Sequence, residues 1–105
     1  MIALMNNTKW EELRSEMYEL RELSPDWRTR SLKTAYICSW DSCWFYHFRN
    51  GEYKDIEWVE LRTTSLGQQN LVKDKLQAIH VPGFTYDDGF KIFGYIKEGK
   101  PIEYI

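Results

Sequence analysis

The sequence predicts one α+β domain over residues 1–105, a mostly antiparallel sheet with helices packed on one face, in the order α-β-β-β-α-β-β. Three observations lead there. Two segments carry a helical apolar period behind capping residues. Two aromatic runs flank Asn50-Gly51, the strongest short-range hairpin signal. Turn residues at Val81-Pro82-Gly83, Asp87-Asp88-Gly89 and Glu98-Gly99-Lys100-Pro101 then cut the rest into short strands. Such elements bury their apolar faces by stacking helices on one side of a sheet.

Residues 1–7 are expected to be frayed. Thr8-Lys9-Trp10-Glu11 reads as a capping box, and Trp10, Leu13, Met17 and Leu20 continue it as one stripe, so a helix is expected at 8–23. Ser24-Pro25 stops it. Its other face, with Glu12, Glu16, Glu19 and Glu22, reads as a solvated acidic surface. A strand is expected from Trp27 to Ile37, with Arg28, Arg30 and Leu32 sharing a face. Trp40-Asp41-Ser42 is a turn, because Asp and Ser bond their own backbone there. Trp44–Phe48 and Tyr53–Leu61 are expected as paired strands. Ser65-Leu66-Gly67-Gln68 is a second capping box, opening a helix at 66–79. Phe90–Ile96 and Ile102–Ile105 complete the sheet as a final hairpin.

With Asn50 and Gly51 as a two-residue turn, the hairpin has two faces. Phe45, His47, Ile56 and Trp58 fall on one, which reads as core. Trp44, Tyr46, Phe48, Tyr53, Asp55 and Glu57 fall on the other. Two readings compete for that second face. It is half-buried packing, since aromatic cross-strand pairs stabilise sheets without any function. Or it is a partner surface, with Trp44, Tyr46 and Tyr53 as anchors and Asp55 and Glu57 as charge partners.

A formal charge of −2 argues against a nucleic-acid partner. No apolar run approaches the ~20 residues that span a bilayer, and the start MIALMNNTKW lacks a basic region, so a cytoplasmic protein is expected. Cys38 and Cys43 are then expected as free thiols. With His47 and His80 scattered, they make no zinc set, and neither metal nor cofactor is expected. Asp87-Asp88-Gly89 lacks the alternating oxygens of a calcium loop.

Catalytic motifs are absent from the sequence. His47 could act as a base oriented by Asp41 or Asp55, which leaves a small hydrolase or lyase as an alternative. On one strand, Cys43 and His47 would lie ~13 Å apart, too far for a thiolate–imidazole pair. A regulatory small-molecule pocket would be lined by Trp40, Trp44 and Trp58.

Trp40-Asp41, Trp44-Phe45-Tyr46-His47-Phe48 and Tyr53-Lys54-Asp55-Ile56-Glu57-Trp58 together resemble a family of small uncharacterised bacterial proteins, in which an aromatic strand precedes an acidic, Trp-ending one. Thr8-Lys9-Trp10, Val81-Pro82 and Phe93-Gly94-Tyr95 are similar to the same family, so the likeness covers most of the chain. In type, the chain also resembles the immunity proteins of toxin systems, including contact-dependent growth inhibition. That resemblance implies a non-enzymatic monomer or weak dimer that binds one cognate toxin domain, such as a basic nuclease. Its contact residues would be Trp44, Tyr46, Tyr53, Asp55 and Glu57.

Overall fold

The computed structural model describes residues 1–105. It is α+β, with helices and antiparallel sheets as predicted. The elements are β1 (Ile2–Ala3), α1 (Asn7–Glu19), β2 (Asp26–Ser31), the one-turn α2 (His47–Asn50), β3 (Ile56–Arg62), α3 (Leu66–Ile79), β4 (Gly83–Tyr86), β5 (Gly89–Phe93) and β6 (Tyr95–Ile96). Four strands form one sheet in the order β2-β3-β5-β4, and β1 pairs with β6.

Both long helices form where the apolar period is strong. On α1, Trp10, Leu13 and Met17 are buried, and on α3, Val72, Leu76 and Ile79. The cap of α1 is Asn6, whose side chain accepts from Lys9 N–H at 2.7 Å, so the helix begins before Thr8. Ser65 caps α3 as predicted, accepting from Gln68 N–H at 3.1 Å. The helix ends on His80, which takes the left-handed conformation at φ 65°.

The Asn50-Gly51 hairpin does not form. A type I′ turn needs positive φ at both central residues, and Gly51 sits at φ −70°. The burial pattern explains why. Trp44 and Phe48 are 2% exposed each, while Phe45, Tyr46 and His47 between them are exposed. That is the i, i+4 spacing of a helical turn, not the alternation of a strand. Phe48 packs against Trp10, Trp27, Trp44 and Tyr53, with ring centroids 4.8–6.1 Å away. A strand would have given that pocket only alternate rings.

The predicted strand 27–37 ends at Ser31. The chain then turns and returns beside β2 through isolated bridges at Arg30–Ile37 and Trp27–Asp41. The predicted final hairpin is also displaced. Asp87-Asp88 joins β4 to β5, Tyr95–Ile96 pairs with the start of the chain, and Tyr104 bridges to Pro82. Residues 1–7 are therefore tied down, with Met5 in the core.

One core lies between the helices and the sheet. It gathers Trp10, Leu13 and Met17 with Trp27, Val59, Leu61, Phe90 and Ile92 among its 16 residues. A bulge in β3 shapes it. Arg30 pairs with Trp58 and Ser31 with Ile56, leaving Glu57 as the extra residue. The bulge turns Ile56 inward with Val59 and Leu61. Trp58, predicted to share an inward face with Ile56, lies on the opposite side of the sheet.

Candidate functional site

Alternate residues of four strands make up that opposite side, on which no helix packs. Strand register sets them in three rows. Phe93, Trp58 and Arg30 form one; Phe84, Lys91, Glu60 and Arg28 the next; Gly89, Arg62 and Asp26 the third, with Tyr86 at its edge. The loop beyond β2 adds Trp40. Because Asp41 pairs with Trp27 on the inner side, its neighbour Trp40 folds over the outer one.

The face is built from cations on rings. The guanidinium groups of Arg28 and Arg62 lie 4.6 and 4.2 Å from the Trp40 ring centre. Lys91 Nζ lies 4.3 Å from the Trp58 ring and 5.9 Å from Phe93. Phe84 packs on Phe93 and Tyr86 at 5.9 and 6.1 Å. At exposed sites each such cation contact contributes only ~0.5–1 kcal/mol, so the rings and cations chiefly hold one another in position.

Carboxylates tune the pattern without cancelling it. Glu60 accepts from Arg28 Nε at 2.7 Å, Glu57 from Arg30 Nε at 3.3 Å, and Asp26 from Arg62 Nη2 at 2.9 Å. Arg28 and Arg30 are each engaged through Nε, and their side chains remain 36% exposed. Their outer Nη groups are left as donors. Lys91 has no carboxylate within salt-bridge distance. Three of the four cations are paired with carboxylates, and Lys91 is left without one. Burial, with Glu60 and Asp88 nearby, pushes the Tyr86 hydroxyl up to about 12. It therefore stays a neutral donor on this face. One end of the face opens into a groove of about 510 Å³ that Glu57, Phe84 and Phe93 share with Tyr95 and Lys100.

The five residues expected to form a partner surface are not brought together. Trp44 is in the core, its indole N–H donating to Pro25 O at 2.8 Å. Tyr46 is 60% exposed, beside Phe45 near the end of α1. Tyr53 is half-buried and donates its hydroxyl to Glu11. Burial, reinforced by that carboxylate, raises the Tyr53 pKa. Asp55 accepts from Ser31 Oγ at 2.7 Å and Lys33 N–H at 3.0 Å, which hold its carboxyl below the usual range. Of the five, only Glu57 borders the open face.

The alternative trio is half assembled. Asp41 and His47 meet at 2.7 Å, whereas Asp55 is tied to Ser31 and Lys33. The third reading, a closed pocket of tryptophans, is excluded by the sheet, which separates Trp44 from Trp40 and Trp58. Sequence reasoning passed over Arg62, Lys91 and Phe93 as site residues, and gave Trp40 only to a closed pocket with Trp44 and Trp58. The available signal was the i, i+2 placement of Arg28/Arg30, Glu60/Arg62 and Lys91/Phe93, polar or aromatic positions alternating with apolar ones.

Fold and face together define a two-layer α+β domain with one side of its sheet uncovered. The chain belongs to the family of unknown function DUF6678, whose model matches residues 1–99. No curated protein and no solved structure matches it. No helix is long and apolar enough to cross a membrane.

Proposed function

We propose that the chain is a bacterial protein-binding domain of the toxin-neutralising kind, working by contact and not by catalysis, and that the open sheet face is its contact surface. The observation that carries this is the set of rings and cations fixed on that face with outer donors unengaged. Aromatic and Arg side chains are the residues that anchor interfaces, and here neighbouring side chains already hold them in place, which lowers the cost of ordering them on binding. Two free thiols, Cys38 and Cys43, fit a reducing cytoplasm.

The fitting partner differs from the basic nuclease that the sequence suggested. Asp55 and Glu57, expected to meet its cations, are engaged within the fold. The open face instead offers guanidinium edges and the Lys91 ammonium, which suit a partner surface carrying carboxylates.

Co-expression and pull-down with the product of the neighbouring gene test this reading. Binding should weaken about 30-fold or more in Trp40→Ala, the loss expected of an interface anchor. Lys91→Glu should slow association and alter its salt dependence. Unchanged affinity in both variants, with loss on Glu12→Lys or Glu19→Lys, would move the interface to α1 and sink the proposal. Failure to bind any protein, with tight binding of single-stranded RNA to the same face, would sink it too.

A further inference from the structure

We infer that Cys43 is a reactive thiol that exchanges with anionic low-molecular-weight disulfides, in a cleft that shares no residue with the open sheet face. The cleft has a volume of about 560 Å³. Tyr18, Glu19, Arg21 and Ser24, at the end of α1, face Cys43 and Phe45 across it.

The turn carrying Cys43 is fixed at both ends by one carboxylate. Asp41 Oδ1 accepts from Cys43 N–H at 2.7 Å, and Oδ2 lies 2.7 Å from His47 Nδ1. The Trp27 indole holds the Cys43 carbonyl at 3.3 Å, and the next residue, Trp44, is buried in the core. Residues 43–47 coil instead of extending, so Cys43 and His47 stand one turn apart. The ~13 Å separation expected along a strand does not arise. His47 is exposed and its second ring nitrogen is unengaged.

The electrostatics of the cluster are consistent with this geometry. Burial pushes the Asp41 carboxyl up, but the Cys43 N–H and the His47 ring outweigh it and lower its pKa. The ionised Asp41 accepts from Nδ1–H and raises the His47 pKa. The backbone N–H groups of His47, Tyr46 and Phe45, with the His47 charge, lower the Cys43 pKa. Of the other charged groups here, Glu19 opposes the thiolate and Arg21 favours it. Arg14 and Arg49 lie 5.8 and 6.0 Å from the Phe45 ring at the rim.

In the exchange, the Cys43 thiolate attacks one sulfur of R–S–S–R. The new bond joins Cys43 Sγ to that sulfur, the old S–S bond breaks, and R–S⁻ leaves with the electron pair. The His47 imidazolium gives it a proton. The disulfide is the oxidant, and one R–SH is released per chain. Arg21, which lines the cleft, gives it its preference for carboxylate-bearing reagents.

Cys38 is an internal control. Its sulfur accepts from Thr29 N–H at 3.2 Å and packs against the core, outside the cleft. The experiment incubates the folded chain with oxidised glutathione at pH 7 and follows each cysteine by peptide mass spectrometry. Cys43 should be modified at least about threefold faster than Cys38, since the gain in thiolate fraction exceeds the loss of nucleophilicity of a more acidic thiol, and urea should erase the difference. His47→Gln, a change at an exposed position, should slow Cys43 with both oxidised glutathione and neutral hydroxyethyl disulfide. Arg21→Glu should slow it more with oxidised glutathione than with hydroxyethyl disulfide. Equal rates at the two cysteines in the folded chain, or a Cys43 rate that His47→Gln leaves unchanged, would overturn the inference.

Discussion

The sheet divides the five tryptophans into two groups that keep different company. Trp10, Trp27 and Trp44 lie on the helix side and pack on other rings, with Phe48 at their centre. Trp40 and Trp58 lie on the other side, under Arg28, Arg62 and Lys91. The same side chain is a core filler in one group and a seat for cations in the other. The difference is whether a second layer excludes water. Where α1 and α3 do so, ring area is buried and the indole N–H groups of Trp27 and Trp44 find backbone carbonyls. Where no layer follows, the aromatic surface is covered by charged side chains that keep their heads in water.

If this division is correct, the two groups should respond very differently to truncation. Phe48→Ala removes the ring that touches four others and should destabilise the domain by ~3–5 kcal/mol in chemical denaturation. That is a large part of the ~5–15 kcal/mol that domains have in total. Trp40→Ala removes two cation contacts and little core, so about 1–2 kcal/mol should be lost. The partner affinity proposed above should show the reverse order among folded variants. Equal losses of stability at the two sites would mean that the outer group is a second core, and the contact surface would have to be sought elsewhere.

How much of this was legible in the sequence depended on whether a local signal had a tertiary competitor. Helix α3 had none. Ser65, Gln68 and the Val72, Leu76, Ile79 stripe all specify one structure, and it forms as read. The segment 44–58 had several. Asn50-Gly51 favours a turn by itself, but Trp44 and Phe48 gain more by filling one pocket between Trp10 and Trp27. Ring residues in sequence carry no mark of which side of a sheet they will cover, and a one-residue bulge at Glu57 was enough to part Ile56 from Trp58. The candidate surface was missed for that reason. Its parts come from β2, β3, β4, β5 and Trp40, and only the strand order places them side by side. Asp41 was one of the two carboxylates, with Asp55, expected to orient His47, and it is the one in contact. The neighbouring thiol was set aside because a strand would have carried it away.

Gly51 offers the smallest effect and the sharpest test of how the inner group is held. A hairpin would pull Trp44 and Phe48 into an extended run and require positive φ at Gly51, where a Cβ costs ~1 kcal/mol or more. In the fold described here Gly51 is at φ −70° and ψ 150°, and a Cβ placed on it meets no atom within 4 Å. The alanine fits the native backbone and restricts the unfolded chain. Gly51→Ala should therefore raise stability by about 0.4–1 kcal/mol. Equilibrium urea unfolding at constant m-value would read the sign directly. A loss of 1 kcal/mol or more would restore the hairpin and return Trp44 to the surface. It would also place Cys43 and His47 on one strand, so the division of the tryptophans and the thiol cleft would both fall with it.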